Sequence, residues 1–476
     1  MNAKDLLALL PLLMVAGTSI VVMLAIAFAR SHALTAGLTV AGLAAAFVSA
    51  CAVTPLTPRL VTPLLIVDRY ALFYIGLIVA SAAAVALLSF RYFEDYRGRR
   101  EEAYLLLLLA TMGCEVLAAA THFASFLLGL EILSVALYAM VAYLKDRTLA
   151  LEAGIKYLIL ASASAAFLLF GVALIYAATG TMNFLQIPQL SAAGSGVALL
   201  IPGIVLTAVG IGFKLGVVPF HLWTPDVYQG SSAPVGAFVA TTSKSAIVAV
   251  LLRYFYVSGA LHYRAVFLVI SVIAVASMCV GNLLALRQMN VKRILAYSSI
   301  AHFGYILVAL LASSGIAQSA VSFYLVAYTV TTLTAFGVVT VLSGSGNDAD
   351  SLEDYVGLFW RRPLIASVFT AALLSLAGIP ATVGFLGKFH VLAAGTNAAA
   401  WPLNIVLVVT SVAGLFYYLR IVVALYSAPP EHAASIQKLS RGGAFVLAAL
   451  TVLLIWFGVY PGPLLNLIQS TITAAN

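Results

Sequence analysis

The chain has 476 residues, 24 Lys plus Arg against 16 Asp plus Glu for a formal charge of +8, 63% hydrophobic residues and only 8% charged ones. A soluble domain carries about 25% charged residues, so a chain this poor in charge cannot stay dissolved as a monomer and must have lipid as its main solvent. Its basic residues stand singly or in short clusters between apolar runs, which argues against a nucleic-acid-binding face and for loop anchoring.

Apolar runs of roughly 20 residues mark transmembrane helices. They predict an all-α polytopic protein with about fourteen spans, near 7-29, 34-54, 69-90, 102-120, 123-144, 153-177, 199-229, 233-256, 265-286, 293-312, 317-342, 363-394, 400-427 and 443-470. The first run, after Lys4 and Asp5, is too long for a signal-peptide core and reads as a retained span. The run 199-229 holds Pro219 and Pro225, and 363-394 holds Gly378, Pro380, Gly384 and Gly387, so both are expected to be broken. Cys51, Cys114 and Cys279 are odd in number and lie in apolar stretches, which implies no disulfide or metal framework.

Placing the basic residues on these spans tests for sidedness. Fifteen fall on one side: Arg30, Arg91, Arg97, Arg99, Arg100, Lys145, Arg147, Arg287, Lys292, Arg293, Arg361, Arg362, Arg420, Lys438 and Arg441. Only Lys4, Arg59, Arg69, Arg253 and Arg264 fall on the other. The rich side is therefore expected to be cytoplasmic, with both termini facing outward. The four remaining lysines, Lys156, Lys214, Lys244 and Lys388, lie in or close to spans, where a lysine near the bilayer centre costs roughly 2.5 to 3.5 kcal/mol on insertion scales.

The intramembrane charges follow in chain order. Glu101 and Glu102 begin a helix after Arg99 and Arg100, where acids meet the positive dipole end. Glu115 falls inside an apolar run, as does Glu131, which needs either a proton or a cation. Lys156 is open to two readings, a snorkelling side chain paired with Glu152 at i,i+4 or a member of a buried path. Lys214 is mid-span, and Pro219 frees the carbonyl of Leu215 beside it. Such a break is tolerated at membrane depth only inside protein or a water-filled cavity, so a hydrated site is expected there. At an effective dielectric of about 20, Glu131 and Lys214 held 4 Å apart would interact by roughly 4 kcal/mol, making them a candidate electrostatic switch.

His221 follows the first break and His302 lies in the span after Tyr297-Ser298-Ser299; either is suited to relay protons. Lys244 sits in Thr241-Thr242-Ser243-Lys244-Ser245, whose hydroxyls can hold an ammonium. In the second break Pro380 frees the carbonyl of Leu376, with Lys388 about two turns on. Paired broken spans in two halves point to transport.

No HExxH, CxxC or His/Cys cluster offers metal or iron–sulfur ligation. The stretch Thr382-Val383-Gly384-Phe385-Leu386-Gly387-Lys388-Phe389 lacks the first Gly and final Ser/Thr of a P-loop, and Ser343-Gly344-Ser345-Gly346 has no strand ahead of it. Neither redox chemistry nor ATP hydrolysis is expected on this chain.

The run Gly212-Phe213-Lys214-Leu215-Gly216-Val217-Val218-Pro219-Phe220-His221-Leu222-Trp223-Thr224-Pro225-Asp226-Val227-Tyr228-Gln229-Gly230 resembles the signature of the antiporter-like membrane subunits of proton-pumping NADH:quinone oxidoreductase, respiratory complex I. Ser375 to Pro380, Gly384 to Phe389 and Lys292 to His302 support the resemblance, which extends over essentially the whole chain. Of the three antiporter-like branches, L carries a long C-terminal lateral helix and M usually a glutamate where Lys388 stands, so the chain looks most like the third.

The resemblance implies a fourteen-helix bundle with two inverted repeats, each containing one broken helix. Its divisions would be 1-100 for three N-terminal helices, 101-256 for the first repeat, 264-428 for the second and 442-476 for a C-terminal helix. It further implies that Glu131 and Lys214 form the switchable pair, that Lys244 passes the proton centrally and that Lys388 serves the exit. Glu102 would be a coupling carboxylate toward small membrane subunits and His302 a link along the hydrated axis.

Also implied are a bacterial inner membrane, periplasmic termini, and neighbouring membrane-arm subunits including another antiporter-like one. NADH, flavin, iron–sulfur clusters and quinone would belong to partner subunits, with no cofactor or metal on this chain. The rival readings are a subunit of a cation/proton antiporter, which shares the breaks and lysines, and a scaffold whose buried charges only specify packing.

Overall fold

The computed structural model describes residues 2–187, 197–312, 315–397, 400–429 and 439–472; Lys438 lies outside them. In chain order the helices are α1 (Ala3–Ala8), α2 (Leu10–Phe28), α3 (His32–Ala52), α4 (Arg69–Glu94), α5 (Glu102–Ala119), α6 (Phe123–Val141), α7 (Thr148–Thr179), α8 (Val197–Leu215), α9 (Trp223–Gly230) and α10 (Ala233–Ser258). There follow α11 (Arg264–Leu286), α12 (Val291–Leu311), α13 (Gly315–Leu342), α14 (Leu358–Arg361), α15 (Pro363–Ala377), α16 (Val383–Asn397), α17 (Trp401–Tyr426), α18 (Arg441–Val459) and α19 (Gly462–Ile472). Among the described residues 13 helices are long and apolar enough to cross a membrane. The broken pair α15 and α16 supplies the fourteenth crossing, as the sequence predicts.

Three further predicted spans are subdivided, each near a proline. The run 199-229 is α8, a non-helical stretch over 216–222 and then α9. The run 443-470 is two helices, because Pro461, Gly462 and Pro463 end α18 at Val459. The first run divides at Leu9, with Pro11 in the opening turn of α2. A short antiparallel hairpin, β1 (Arg59–Thr62) and β2 (Leu65–Val67), is the only sheet among the described residues.

Helix ends are closed by the polar residues that flank them. Asp68 caps α4 by accepting the Ala71 N–H at 2.7 Å, and its carboxylate also takes both terminal nitrogens of Arg253 at 2.8 and 2.9 Å. Asn290 caps α12 through the Arg293 N–H at 3.0 Å, which satisfies a donor that the helix leaves unpaired.

Ion pairs group the basic residues as the fourteen-span reading does. Asp5, next to Lys4, meets Arg59 at 2.6 Å, and Asp68, next to Arg69, meets Arg253. On the other face Arg30 meets Glu102 at 3.1 Å, and Arg147 and Lys292 share Asp348 at 3.2 and 2.6 Å.

The helices form an inner group and an outer group. The apolar stretches of α10 and α12 are buried on every side and α13 nearly so, whereas α2, α3, α7, α11, α17 and α18 expose most of theirs. A helix apolar all round belongs in a core or against lipid, and here tertiary packing decides between the two. Within α10, Val239–Ser243 form a π-helical turn immediately before Lys244, a distortion frequent at functional sites.

Candidate functional site

The second break builds its site from backbone. Gly378 ends α15 in the left-handed region at φ 87°, and its N–H returns to the carbonyls of Leu374 and Ser375, both at 3.0 Å. The carbonyls of Leu376 and Ala377 are thereby freed, and Lys388 donates to them at 2.9 and 2.8 Å and to the Ser411 hydroxyl at 2.7 Å. All three ammonium donors are used, and no carboxylate lies within ion-pair distance among the described residues. The freeing of the Leu376 carbonyl is the one the sequence predicts.

Gly384 opens α16 against Ser375, whose hydroxyl accepts its N–H at 3.1 Å, and a Cβ at 384 would run into the Ser375 carbonyl oxygen. Gly384→Ala is therefore expected to force the two half-helices apart, destabilising the chain by about 1–3 kcal/mol. The expected result is a lower Tm and a loss of turnover in the assembled protein; an unchanged Tm would show that the break absorbs a methyl group.

At the first break Gly216 takes φ 72°, and Lys214 lies just before it. Here a side chain, not a freed carbonyl, holds the ammonium: Lys214 donates to the Ser134 hydroxyl at 2.7 Å. Its Nζ stands 5.7 Å from the Tyr157 ring centroid and 6.0 Å from that of Tyr138, within range of a cation–π attraction. Pro225 lies within α9, and His221 is buried in the loop between the half-helices. No hydrogen bond among the described residues joins His221 to Lys214 or Lys244.

The expected Glu131–Lys214 contact is not formed. Glu131 is exposed, on the same stripe of α6 as Leu128 (59% exposed) and Val135 (62%). It stands one turn before Ser134, so its charge reaches Lys214 through space without an ion pair. Glu115 is the opposite case, fully buried on α5 with neither carboxylate oxygen hydrogen-bonded.

Lys244 is fully buried at the core of the bundle. The hydroxyls beside it in sequence do not hold it. Thr241 and Ser243 donate to the carbonyls of Ala237 and Val239, Thr242 donates to Ser81, and Ser245 donates to the Thr241 carbonyl. The ammonium donates instead to Ser299 on α12 at 2.8 Å. Ser299 also accepts from Tyr328 at 2.7 Å and from Tyr228 at 3.3 Å.

One turn along α12, His302 continues the polar line. Its ring nitrogens meet the Tyr324 hydroxyl at 2.8 Å and the Tyr418 hydroxyl at 3.2 Å, and Tyr418 is hydrogen-bonded to Ser298. The His302 and Tyr305 rings lie 5.4 Å apart, and Lys388 Nζ stands 5.6 Å from the Tyr305 centroid. Hydroxyls and one imidazole thus occupy the space between Lys244 and Lys388. Ser134, Ser299, Tyr328, Tyr324, Tyr418 and Ser411 make contacts along this line that sequence reasoning missed, because their partners are remote in the chain.

Two further predicted residues lie at the rim. Lys156 pairs with Glu152 at 2.7 Å, as its spacing predicts, and also with Asp226 at 2.9 Å. Glu102 pairs with Arg30 at 3.1 Å, and neither residue is fully buried. Neither Lys156 nor Glu102 touches the central line.

Two interrupted membrane helices, each placing a lysine at its break, together with a third lysine at the centre of the bundle, define a charge-carrying membrane protein of the antiporter class. Residues 120–414, more than half of the chain, match the family described as NADH:quinone oxidoreductase/Mrp antiporter, TM, and the chain belongs to that family. Within it the chain falls in the subunit N branch: the NADH-quinone oxidoreductase subunit N of Ectopseudomonas mendocina (strain ymp) is 49% identical over 484 residues, covering 100% of this chain and 98% of that protein.

Among solved structures, a chain of respiratory complex I from Thermus thermophilus with bound aureothin superposes with a TM-score of 0.84 at 34% identity, covering 96% of this chain and 98% of that one. A chain of the Mrp complex from Dietzia sp. DQ12-45-1b shares the fold at TM-score 0.86 and 21% identity, covering 99% and 97%.

Proposed function

We propose that this chain is a proton-translocating subunit in the membrane arm of an NADH:quinone oxidoreductase, driven by quinone reduction elsewhere in the complex. The observation that carries the reading is the set of three buried lysines without a carboxylate partner among the described residues, Lys214, Lys244 and Lys388. Each ammonium is held by hydroxyls or carbonyls, with no carboxylate in contact. A cation kept in a low-dielectric core without a fixed counter-ion is expensive, and a group so placed responds strongly to any charge brought near it. In this reading Lys388, with all its donors satisfied, is where the proton rests before exit, and Lys244 and His302 hand it there. Glu131, on the outward stripe of α6, places the controlling carboxylate where a neighbouring membrane subunit reaches it.

The same reading makes 101-256 and 264-428 inverted repeats between the N-terminal helices 1-100 and the C-terminal segment 442-476. It puts the Arg- and Lys-rich face in the cytoplasm of a bacterium, with the chain in the inner membrane and both termini periplasmic. It assigns NADH, flavin, iron–sulfur clusters and quinone to partner subunits and none to this chain, and gives Glu102 at the Arg30 rim a coupling role toward small membrane subunits.

The test is Lys214→Ala in native membranes, with assembly followed by native gel. The expected result is an assembled complex in which proton pumping and NADH:quinone turnover fall together. Normal activities would refute a role for Lys214 in the path, and failed assembly would favour the scaffold reading. The antiporter reading rests on the shared fold and predicts a chain that purifies without flavin- or iron–sulfur-bearing partners.

A further inference from the structure

Outside the lysine path, a groove of about 670 Å³ runs between α3, α4, α13, α18 and α19. Its walls are largely apolar, with Phe47, Leu77, Val330 and Leu453 among them, and Arg69 stands at one end as the first residue of α4. The adjacent acid cannot neutralise this arginine. Asp68 already binds Arg253 through both carboxylate oxygens, and Arg69 is exposed and in no ion pair among the described residues. The fold thus leaves an unpaired guanidinium at the mouth of an apolar slot.

The unpaired charge and the apolar lining together identify the occupant. The observed volume falls in the ordinary small-ligand range of about 300–1,000 Å³. An arginine presents paired donors that match a phosphate group, and apolar walls at membrane depth match acyl chains. We propose that the groove binds an anionic glycerophospholipid, with its phosphate on Arg69 and its chains lying along α4 and α18. Ser81 and Thr329 line the same groove and hydrogen-bond Thr242, within the π turn, and Ser245, next to Lys244, at 2.9 and 3.1 Å. The lipid therefore packs behind the stretch of α10 that carries the central lysine.

The test is native mass spectrometry of the full-length chain extracted from vesicles of phosphatidylcholine mixed with phosphatidylglycerol. The wild type is expected to retain a phosphatidylglycerol in preference to phosphatidylcholine. Arg69→Gln is expected to lower that retention by about tenfold or more, the loss of one charge-assisted hydrogen bond, while Arg69→Lys keeps most of the preference. Ala84→Phe, which fills the groove from its α4 wall, is expected to remove bound lipid of both kinds. It decides the question by itself if the Arg69 variants fail to accumulate. Unchanged phosphatidylglycerol retention in Arg69→Gln or in Ala84→Phe overturns the proposal. So does a photoreactive residue at position 84 that cross-links a neighbouring subunit instead of lipid in native membranes.

Discussion

Lys244→Met is expected to leave the complex assembled and to lower proton pumping and quinone-linked turnover together by about a hundredfold, in the range of losing a positioned proton-transfer group. Methionine has nearly the length of lysine and no charge, and the site is fully buried, so the bundle loses a costly ion and little packing. Ser299 keeps its bonds from Tyr328 and Tyr228 in the variant. Lys244→Arg is the informative companion, since a guanidinium keeps the charge but does not release its proton in proteins. If Lys244 only anchors helices, the arginine variant would retain activity; if it carries protons, both variants lose it. Parallel assays of acidification and NADH:quinone turnover on native-gel-verified membranes separate the two outcomes.

Asp348→Ala is expected to cost about 3–5 kcal/mol, the penalty for removing one partner from a buried charge cluster. Asp348, only 4% exposed, binds Lys292 at 2.6 Å, the Tyr92 hydroxyl at 2.6 Å and Arg147 at 3.2 Å. Lys292 also donates to the carbonyls of Gln229 and Ser231 at the end of α9, so the cluster ties the first break to α4 and α12. Burial alone would push the Asp348 carboxyl up. The charges of Lys292 and Arg147, with hydrogen bonds from Lys292 and Tyr92, outweigh it and hold the group below its ordinary value.

The sign of the pH effect follows. A folded-state value below the unfolded value of about 3.9 gives stability that is present above that pH and lost as pH falls through the folded value. Thermal unfolding of the wild type is therefore expected to fall below about pH 4, and Asp348→Asn to lack that component. Matching acid profiles would remove Asp348 from the account.

The two breaks were legible to different depths. At Pro380 the ring's missing N–H identifies Leu376 as the carbonyl set free, and a lysine two turns on is close enough to use it. At Pro219 the same reasoning finds the break but not the partner, because Lys214 turns to Ser134 on another helix. Lys244 repeats the lesson. Four neighbouring hydroxyls look like ligands in sequence, but three bond back to carbonyls of their own helix and Thr242 turns to Ser81, and only packing brings Ser299 into place. The exposed placement of Glu131 was hidden for a different reason: in Leu128-Gly129-Leu130-Glu131-Ile132-Leu133 every face is apolar, so no periodicity distinguishes the inside of α6 from the outside.

Counted along the chain, the π turn at Val239–Ser243 is one surplus residue. Each residue of an α-helix advances the phase by about 100°. A plain helix of this sequence, with its first turns seated as they are on α4 and α13, would swing everything after Ser243 away by that angle. The surplus lets one rod obey two incompatible registers. Its first part keeps Gly236 against the Phe336 ring, while its second aims Lys244 at Ser299 and, further along, Arg253 at Asp68. Inserting or deleting a single residue here would remove no charge, yet it would rotate two cations out of their seats at once.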